Sequence, residues 1–173
     1  IKDNAKQLID FLQKKNIEVI MLTGDNEKVA LKITNQLNIN KYYSKQTPIS
    51  KADFIKDLKK QDKIVVMVGD GVNDSVALGN ADVAVAMGNS ADVSLAVSDV
   101  VLLNSTLNSL QEAFEISSKT YKFIKQNLGI SIIYNMVTIP LAMLGYVIPL
   151  VAALSMSLSS IMVVLNSLRI KMK

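Results

Sequence analysis

The chain has 173 residues, half of them hydrophobic and a fifth charged, with positive mean hydropathy, which excludes an intrinsically disordered chain. It has no Cys and no His, which removes disulfides, cysteine nucleophiles, Ser-His-Asp chemistry and the usual zinc ligands, and with no Trp and few aromatics it offers no stacking surface for a nucleic-acid partner. The formal charge of +4 describes no basic patch, because residues 1–125 are nearly neutral and the excess sits in Arg169, Lys171 and Lys173.

Residues 2–15 read as an amphipathic helix with Leu8, Ile9, Phe11 and Leu12 on its apolar side. A short strand over 17–22 follows and ends at Thr23-Gly24-Asp25-Asn26. The pattern then predicts a helix over 27–37, a short strand at Tyr42-Tyr43, and a helix over 49–60 after Pro48. Residues 64–68 are a continuous apolar run, as in a parallel strand buried on both faces. They lead directly into Gly69-Asp70-Gly71-Val72-Asn73-Asp74 and a short helix. Further strands are predicted over 83–87 and 100–103, with a helix over 91–97 between them. This alternation predicts an α/β unit with a parallel sheet and its sites at the carboxyl ends of the strands.

Two of those strand ends share a chemistry. Thr23-Gly24-Asp25 and Gly69-Asp70-Gly71 each set a hydroxyl or carboxylate beside glycine, where backbone amides can approach a ligand closely. Asp70 and Asp74 lie four residues apart across a tight turn, a spacing suited to a hard cation such as Mg²⁺. Residues 64–118 carry seven acids and no Lys or Arg, which is compatible with a cation site and equally with a solvated acidic face. Asp and Gly are also ordinary turn residues, so both readings stand on local grounds. Lys51, near a helix start, reads locally as a surface charge.

From 107 to 126 the sequence predicts one helical connection, and from 126 to 168 it has no charged residue. That length suits two membrane spans, 127–145 and 150–168, joined by a turn at 146–149. Lys119, Lys122 and Lys125 precede the first span, while Arg169, Lys171 and Lys173 follow the second. The positive-inside rule then places both ends in the cytoplasm. Tyr134 and Asn135 in the first span, with Ser155, Ser157, Ser159, Ser160 and Asn166 in the second, are the main polar groups. Serines commonly serve helix packing, whereas an amide such as Asn135 requires a partner in hydrocarbon. Pro140 is expected to kink the first span, and Met156 and Ser160, at i and i+4, share a helix face.

The ordered set Met21-Leu-Thr-Gly-Asp-Asn26, Pro48-Ile-Ser-Lys51, Val66-Met-Val-Gly-Asp-Gly-Val-Asn-Asp74 and Ala81-Asp-Val-Ala-Val-Ala-Met-Gly88 resembles the phosphorylation domain of P-type ATPases. The resemblance implies a partial haloacid-dehalogenase-like parallel sheet with helices on both faces, followed by an α-helical transmembrane hairpin. The implied layout is a phosphorylation-domain part over 1–118 and a cytoplasmic helical connection over 119–126. The spans 127–145 and 150–168, an extracytoplasmic turn at 146–149 and a basic tail over 169–173 complete it. Thr23 would hydrogen-bond a phosphoryl oxygen, with Gly24 and Asp25 shaping its loop, and Lys51 would neutralise phosphoryl charge. Asp70 and Asp74 would hold Mg²⁺, with Asn73 supporting the phosphate geometry.

The hairpin resembles the monovalent-copper subgroup through Tyr134-Asn135, Met156 to Ser160, and Asn166-Ser-Leu-Arg169. These imply Tyr134, Asn135, Met156 and Ser160 as ligands of transported Cu⁺, in keeping with the softness of thioether sulfur. The family's phosphorylated Asp-Lys-Thr-Gly-Thr loop, nucleotide-binding domain and Cys-Pro-Cys motif are not in these 173 residues. Beginning with Ile, the chain therefore reads as a piece of a longer pump and is expected to be inactive alone. The whole pump would use ATP and sit in a bacterial cytoplasmic membrane, with residues 1–126 and the C-terminus cytoplasmic. Its partners would be the rest of the polypeptide, the lipid bilayer and a copper chaperone. The alternatives are a membrane-anchored phosphatase of the same superfold, a pump for another metal, and a pump serving cytochrome oxidase assembly.

Overall fold

The computed structural model describes residues 1–69, 72–88, 96–104, 106–146 and 148–170, without the side chains of Val72, Pro149, Val151 and Ala152. The chain divides into two compact units, Ile1–Glu112 and Ala113–Lys173. The helix expected over 91–97 lies largely outside the described residues, as do Asp70, Gly71, Lys171 and Lys173.

In the first unit, helix α1 (Ala5–Lys14) buries Ala5, Leu8, Ile9 and Leu12, the spacing of one helical stripe. Strand β1 (Ile20–Leu22) pairs in parallel with β2 (Lys41–Tyr43), and helix α2 (Glu27–Leu37) crosses between them. Ala5, Ile9 and Leu37 form a core cluster against Val19, Ile33, Ile39 and Leu107. Helix α3 (Pro48–Lys60) follows, then β3 (Val66–Gly69), a 3₁₀ turn (Val72–Asp74) and the short α4 (Ser75–Leu78). Strands β4 (Val83–Met87) and β5 (Val100–Leu102) complete a second sheet in the order β3-β4-β5, all parallel. β4 lies in the middle with Ala84, Val85, Ala86 and Met87 buried, which accounts for its unbroken apolar run.

The single sheet expected from the sequence is thus two sheets among the described residues. β1 and β3 each pair on one side only, and no described strand pairs with either one's other edge. The elements themselves fall close to their expected ranges: β4 matches its run, β2 is one residue longer, and β1, β3 and β5 are shorter than the apolar runs that announce them. Ile17 and Ile64, for example, precede β1 and β3 and stay exposed.

Two asparagines and an aspartate in the left-handed region end three of the helices. Asn16, Asn38 and Asp62 have φ of 58°, 56° and 58°, and each sits just past a helix whose last carbonyls they help to close. The bonds are Ile17 N–H to Leu12 O at 3.0 Å, Ile39 N–H to Thr34 O at 3.0 Å and Lys63 N–H to Leu58 O at 3.2 Å. This left-handed stop usually takes glycine, and the amide or carboxyl side chains tolerate it next best.

In the second unit, α5 (Leu107–Met143), which begins within the first, is one continuous helix enclosing Pro140. Gly145, at φ 76°, ends it, with Tyr146 N–H donating to Leu141 O at 3.1 Å. Pro149 opens helix α6 (Pro149–Ser167), a position where its missing N–H goes unneeded. Within this unit Asn127, Ser131, Tyr134 and Thr138 of α5 and Ser155, Ser159, Val163, Asn166 and Ser167 of α6 are half-buried. Ile132, Ile133, Met136, Leu154, Leu158 and Leu165 are more than half exposed. Most of the half-buried residues are thus polar, while the larger apolar ones are mainly outside, with Asn135, Ser157 and Ser160 exposed. The segments expected to span a membrane, 127–145 and 150–168, correspond to these helices. Among the described residues, no helix is long and apolar enough to cross a membrane.

Candidate functional site

The loop after β1 is tied down from several sides. Thr23 N–H donates to Tyr43 O at 3.0 Å, extending the parallel ladder by one residue. Thr23 Oγ1 donates to Asp25 Oδ2 at 2.9 Å, and Asp25 N–H donates back to Thr23 Oγ1 at 3.1 Å. Lys45 N–H reaches Asp25 O at 2.8 Å and Gln46 N–H reaches Thr23 O at 2.9 Å. Gly24 and the next loop run close together, since a Cβ on Gly24 would stand 3.4 Å from the Gln46 carbonyl oxygen.

α3 starts with a reciprocal cap. Ser50 N–H donates to Thr47 Oγ1 at 3.1 Å, and Thr47 N–H donates to Ser50 Oγ at 2.9 Å, with Pro48 in the first turn. Lys51 follows, and its ammonium donates to Asp74 Oδ1 at 2.7 Å. The side chains of this pair are only 12% and 14% exposed, so each charge depends on the other: truncating one would strand its partner in a poorly solvated place. Gly69 makes room for Asp74. A Cβ there would fall 2.7 Å from Asp74 Cβ and 3.1 Å from Oδ2, inside contact distance. Asn73 lies exposed on the 3₁₀ turn between them.

Thr23, Gly24 and Asp25 thus share one loop, and Lys51 and Asp74 form one ion pair, with the hydroxyl and the ammonium both engaged by carboxylates. Asp70 lies outside the described residues, so the Asp70–Asp74 pair has no geometry here. Asp74 offers the oxygen chemistry a hard cation takes, with Oδ1 bonded to Lys51. Among the described residues no group of three or more His, Cys, Asp or Glu is placed to hold a metal ion.

Among the described residues, the acids of 64–118 do not gather at one end of the sheet. Asp82 Oδ2 accepts from Val65 N–H at 2.8 Å and Oδ1 meets Lys59 Nζ at 2.9 Å, while Asp99 Oδ2 accepts from Ala84 N–H at 2.8 Å. Both carboxylates serve backbone donors beside the starts of strands. The hydrogen bond from Lys59, reinforced by the Val65 N–H, holds the Asp82 carboxyl below the usual carboxylate range.

In the second unit, Tyr134 Oη and Ser155 Oγ are 2.8 Å apart, a pairing the sequence did not single out. Ser160 Oγ donates to the Met156 carbonyl oxygen at 3.1 Å, so these two residues are joined along α6. Asn135 and Ser160 are exposed, and Met156 is 64% exposed. Asn166 Nδ2 donates to Asn127 Oδ1 at 2.8 Å, and Asn127 Nδ2 donates to Ser167 Oγ at 2.9 Å. Gln46, Ser50 and Asn127 were missed as candidates. Only the Thr47-to-Ser50 spacing carried a readable signal, that of a helix cap.

Residues 1–82 match the family model of haloacid dehalogenase-like hydrolases. The probable copper-importing P-type ATPase A of Enterococcus hirae is 43% identical over 175 residues, covering 100% of this chain and 24% of its own length. The copper-exporting P-type ATPase of Staphylococcus saprophyticus is 42% identical over 171 residues, covering 99% of this chain and 22% of its own. Among solved structures, a zinc-transporting PIB-type ATPase in its E2.Pi state superposes with a TM-score of 0.92 at 28% identity, over 98% of this chain and 28% of that one. The α/β unit therefore has a haloacid dehalogenase-like fold over the matched residues 1–82. The chain is homologous to metal-transporting P-type ATPases and spans about a quarter of the length of the curated relatives it matches.

Proposed function

We propose that the chain is part of an ATP-driven Cu⁺ pump that works through an aspartyl-phosphate, and that it supplies the phosphate-site residues and part of the ion path. The observation that carries this is the Lys51–Asp74 pair, held nearly out of solvent beyond the end of β3. Phosphoryl transfer asks chiefly for positioned charge and in-line geometry. Lys51 would neutralise the transferred group, and the Thr23 hydroxyl would orient one of its oxygens after leaving Asp25. Asp74, with Asp70 and Asn73, would hold Mg²⁺, whose charge would offset that of the phosphate. The nucleophilic Asp would come from outside these 173 residues. The one-sided pairing of β1 and β3 supports a further strand from elsewhere in the polypeptide.

The membrane part of the reading rests on the inverted seam of α5 and α6. A helical hairpin in water buries its apolar stripe. Here several hydroxyls and amides (Asn127, Tyr134, Ser155, Asn166, Ser167) face inward and satisfy one another, while most of the Leu, Ile and Met side chains face outward, the arrangement suited to lipid. Asn135, Ser157 and Ser160 stay exposed outside these seam pairs. Tyr134, Asn135, Met156 and Ser160 would contribute to the ion path, with Met156 sulfur favouring a soft ion. The relatives are named for copper and the solved structure for zinc, so the ion is the point to test.

The test is phosphoenzyme formation from ATP by the full-length protein in membrane vesicles with Cu⁺, Ag⁺, Zn²⁺ or no metal. Stimulation by Cu⁺ and Ag⁺ that is lost in Met156→Ala supports the proposal. Stimulation by Zn²⁺ alone would remove copper and leave the pump. Release of phosphate from small phosphate esters without any phosphoenzyme from ATP would favour the membrane-anchored phosphatase.

A further inference from the structure

Gln46 joins the two parts of the phosphate site. Its N–H donates to the Thr23 carbonyl oxygen at 2.9 Å, so its backbone belongs to the loop after β1. Its side chain reaches the other way. Oε1 accepts from Ser50 Oγ at 2.8 Å, while Nε2 donates to Ser44 O at 3.1 Å and keeps the amide oriented. Ser50 is locked into the cap with Thr47, and Lys51 is the next residue, its N–H donating to Thr47 O at 3.0 Å. A continuous hydrogen-bonded path therefore runs from Thr23 through Gln46 and Ser50 into the first turn of α3, which carries Lys51 to Asp74.

We infer that Gln46 is a positioning residue, with Ser50 as its partner, that sets the Lys51 ammonium relative to the Thr23 hydroxyl. The inference rests on the phosphoryl-transfer reading above. First turns of helices fray, because their N–H groups have no intrahelical partners. Lysine adds a flexible stem of its own. Tying that turn to the loop bearing the other phosphate donor removes a slack that transfer chemistry does not tolerate, since small misplacements of a catalytic group cost large factors in rate.

The experiment uses the full-length protein in membrane vesicles and measures phosphoenzyme decay, apparent KM for ATP and the half-inhibitory concentration of orthovanadate. Gln46→Leu should slow decay and weaken orthovanadate inhibition by about 3- to 10-fold, the worth of one neutral hydrogen bond, with KM for ATP unchanged. Gln46→Glu keeps the acceptor for Ser50 but loses the donor to Ser44 O, so it should recover only part of the rate. Ser50→Ala removes the cap acceptor of Thr47 N–H as well and should lose at least as much as Gln46→Leu, and the double variant should be no worse than Ser50→Ala. Wild-type decay and inhibition in Gln46→Leu, a matching rise in KM for ATP, or additive losses in the double variant would each overturn the inference. If Gln46→Leu does not accumulate, unchanged decay in Ser50→Ala overturns it equally. Failure of the unmodified protein to form any phosphoenzyme from ATP would instead bring down the underlying reading, and the inference with it.

Discussion

Asp82 shows how a residue chosen for one chemistry can serve another. From the sequence it is one of a run of acids that could face a cation. In the fold it receives Val65 N–H and Lys59 beside the starts of β3 and β4. Its lowered pKa has a definite linkage sign. A carboxyl more acidic in the folded than in the unfolded chain contributes stability above the unfolded value of about 4, and loses it as pH falls through the folded value. Asp82→Asn should therefore flatten the pH dependence of urea unfolding below about pH 4 and leave the slope near neutrality unchanged. The partners are a third exposed or slightly more, so salt should shrink the Lys59 share of the effect. A variant with the full acid sensitivity of the parent would contradict this role.

At the scale of elements, the α5–α6 seam carries the clearest expectation. Asn166 donates to Asn127, Asn127 donates to Ser167, and Ser167 Oγ donates to Val163 O at 2.9 Å, a directed chain that sets the register of the two helices. Tyr134 and Ser155 form a second tie further along the seam. Interhelical bonds of this kind are worth about 0.6 kcal/mol each in membrane proteins. A double-mutant cycle of Asn127→Ala and Asn166→Ala should return a coupling of about that size. The disulfide yield between Cys residues placed at 134 and 155 should fall in either single variant. A yield unchanged by both would mean that apolar packing alone holds the register.

For the molecule as a whole, the broken sheet matters most. Among the described residues there are two parallel sheets, each with an edge strand that carries candidate site residues on its following loop. The isolated 173 residues should show no ATP hydrolysis, measured as phosphate release. Release abolished by Asp70→Asn would overturn that expectation. The open edges should also make the isolated chain prone to self-association, because unpaired strands are templates for further pairing.

Much was legible in the residues alone, for local reasons. Helical stripes, the Pro48 start and the Gly-Asp loops are short-range chemistry, so α1 to α3, β4 and the loops at Thr23 and Asp74 could be read without a structure. The uncharged stretch from 126 to 168 announced the two helices as a unit distinct from the α/β part. Tertiary structure decided what depends on residues far apart in sequence. It brought Lys51 to Asp74, 23 residues away, and Asn127 to Asn166, 39 away. It made Gln46 a bridge, moved Asp82 and Asp99 to the starts of strands, and divided one expected sheet into two. Hydrogen-bond partners such as these are selected by packing, and no window of sequence records which distant group a side chain will meet.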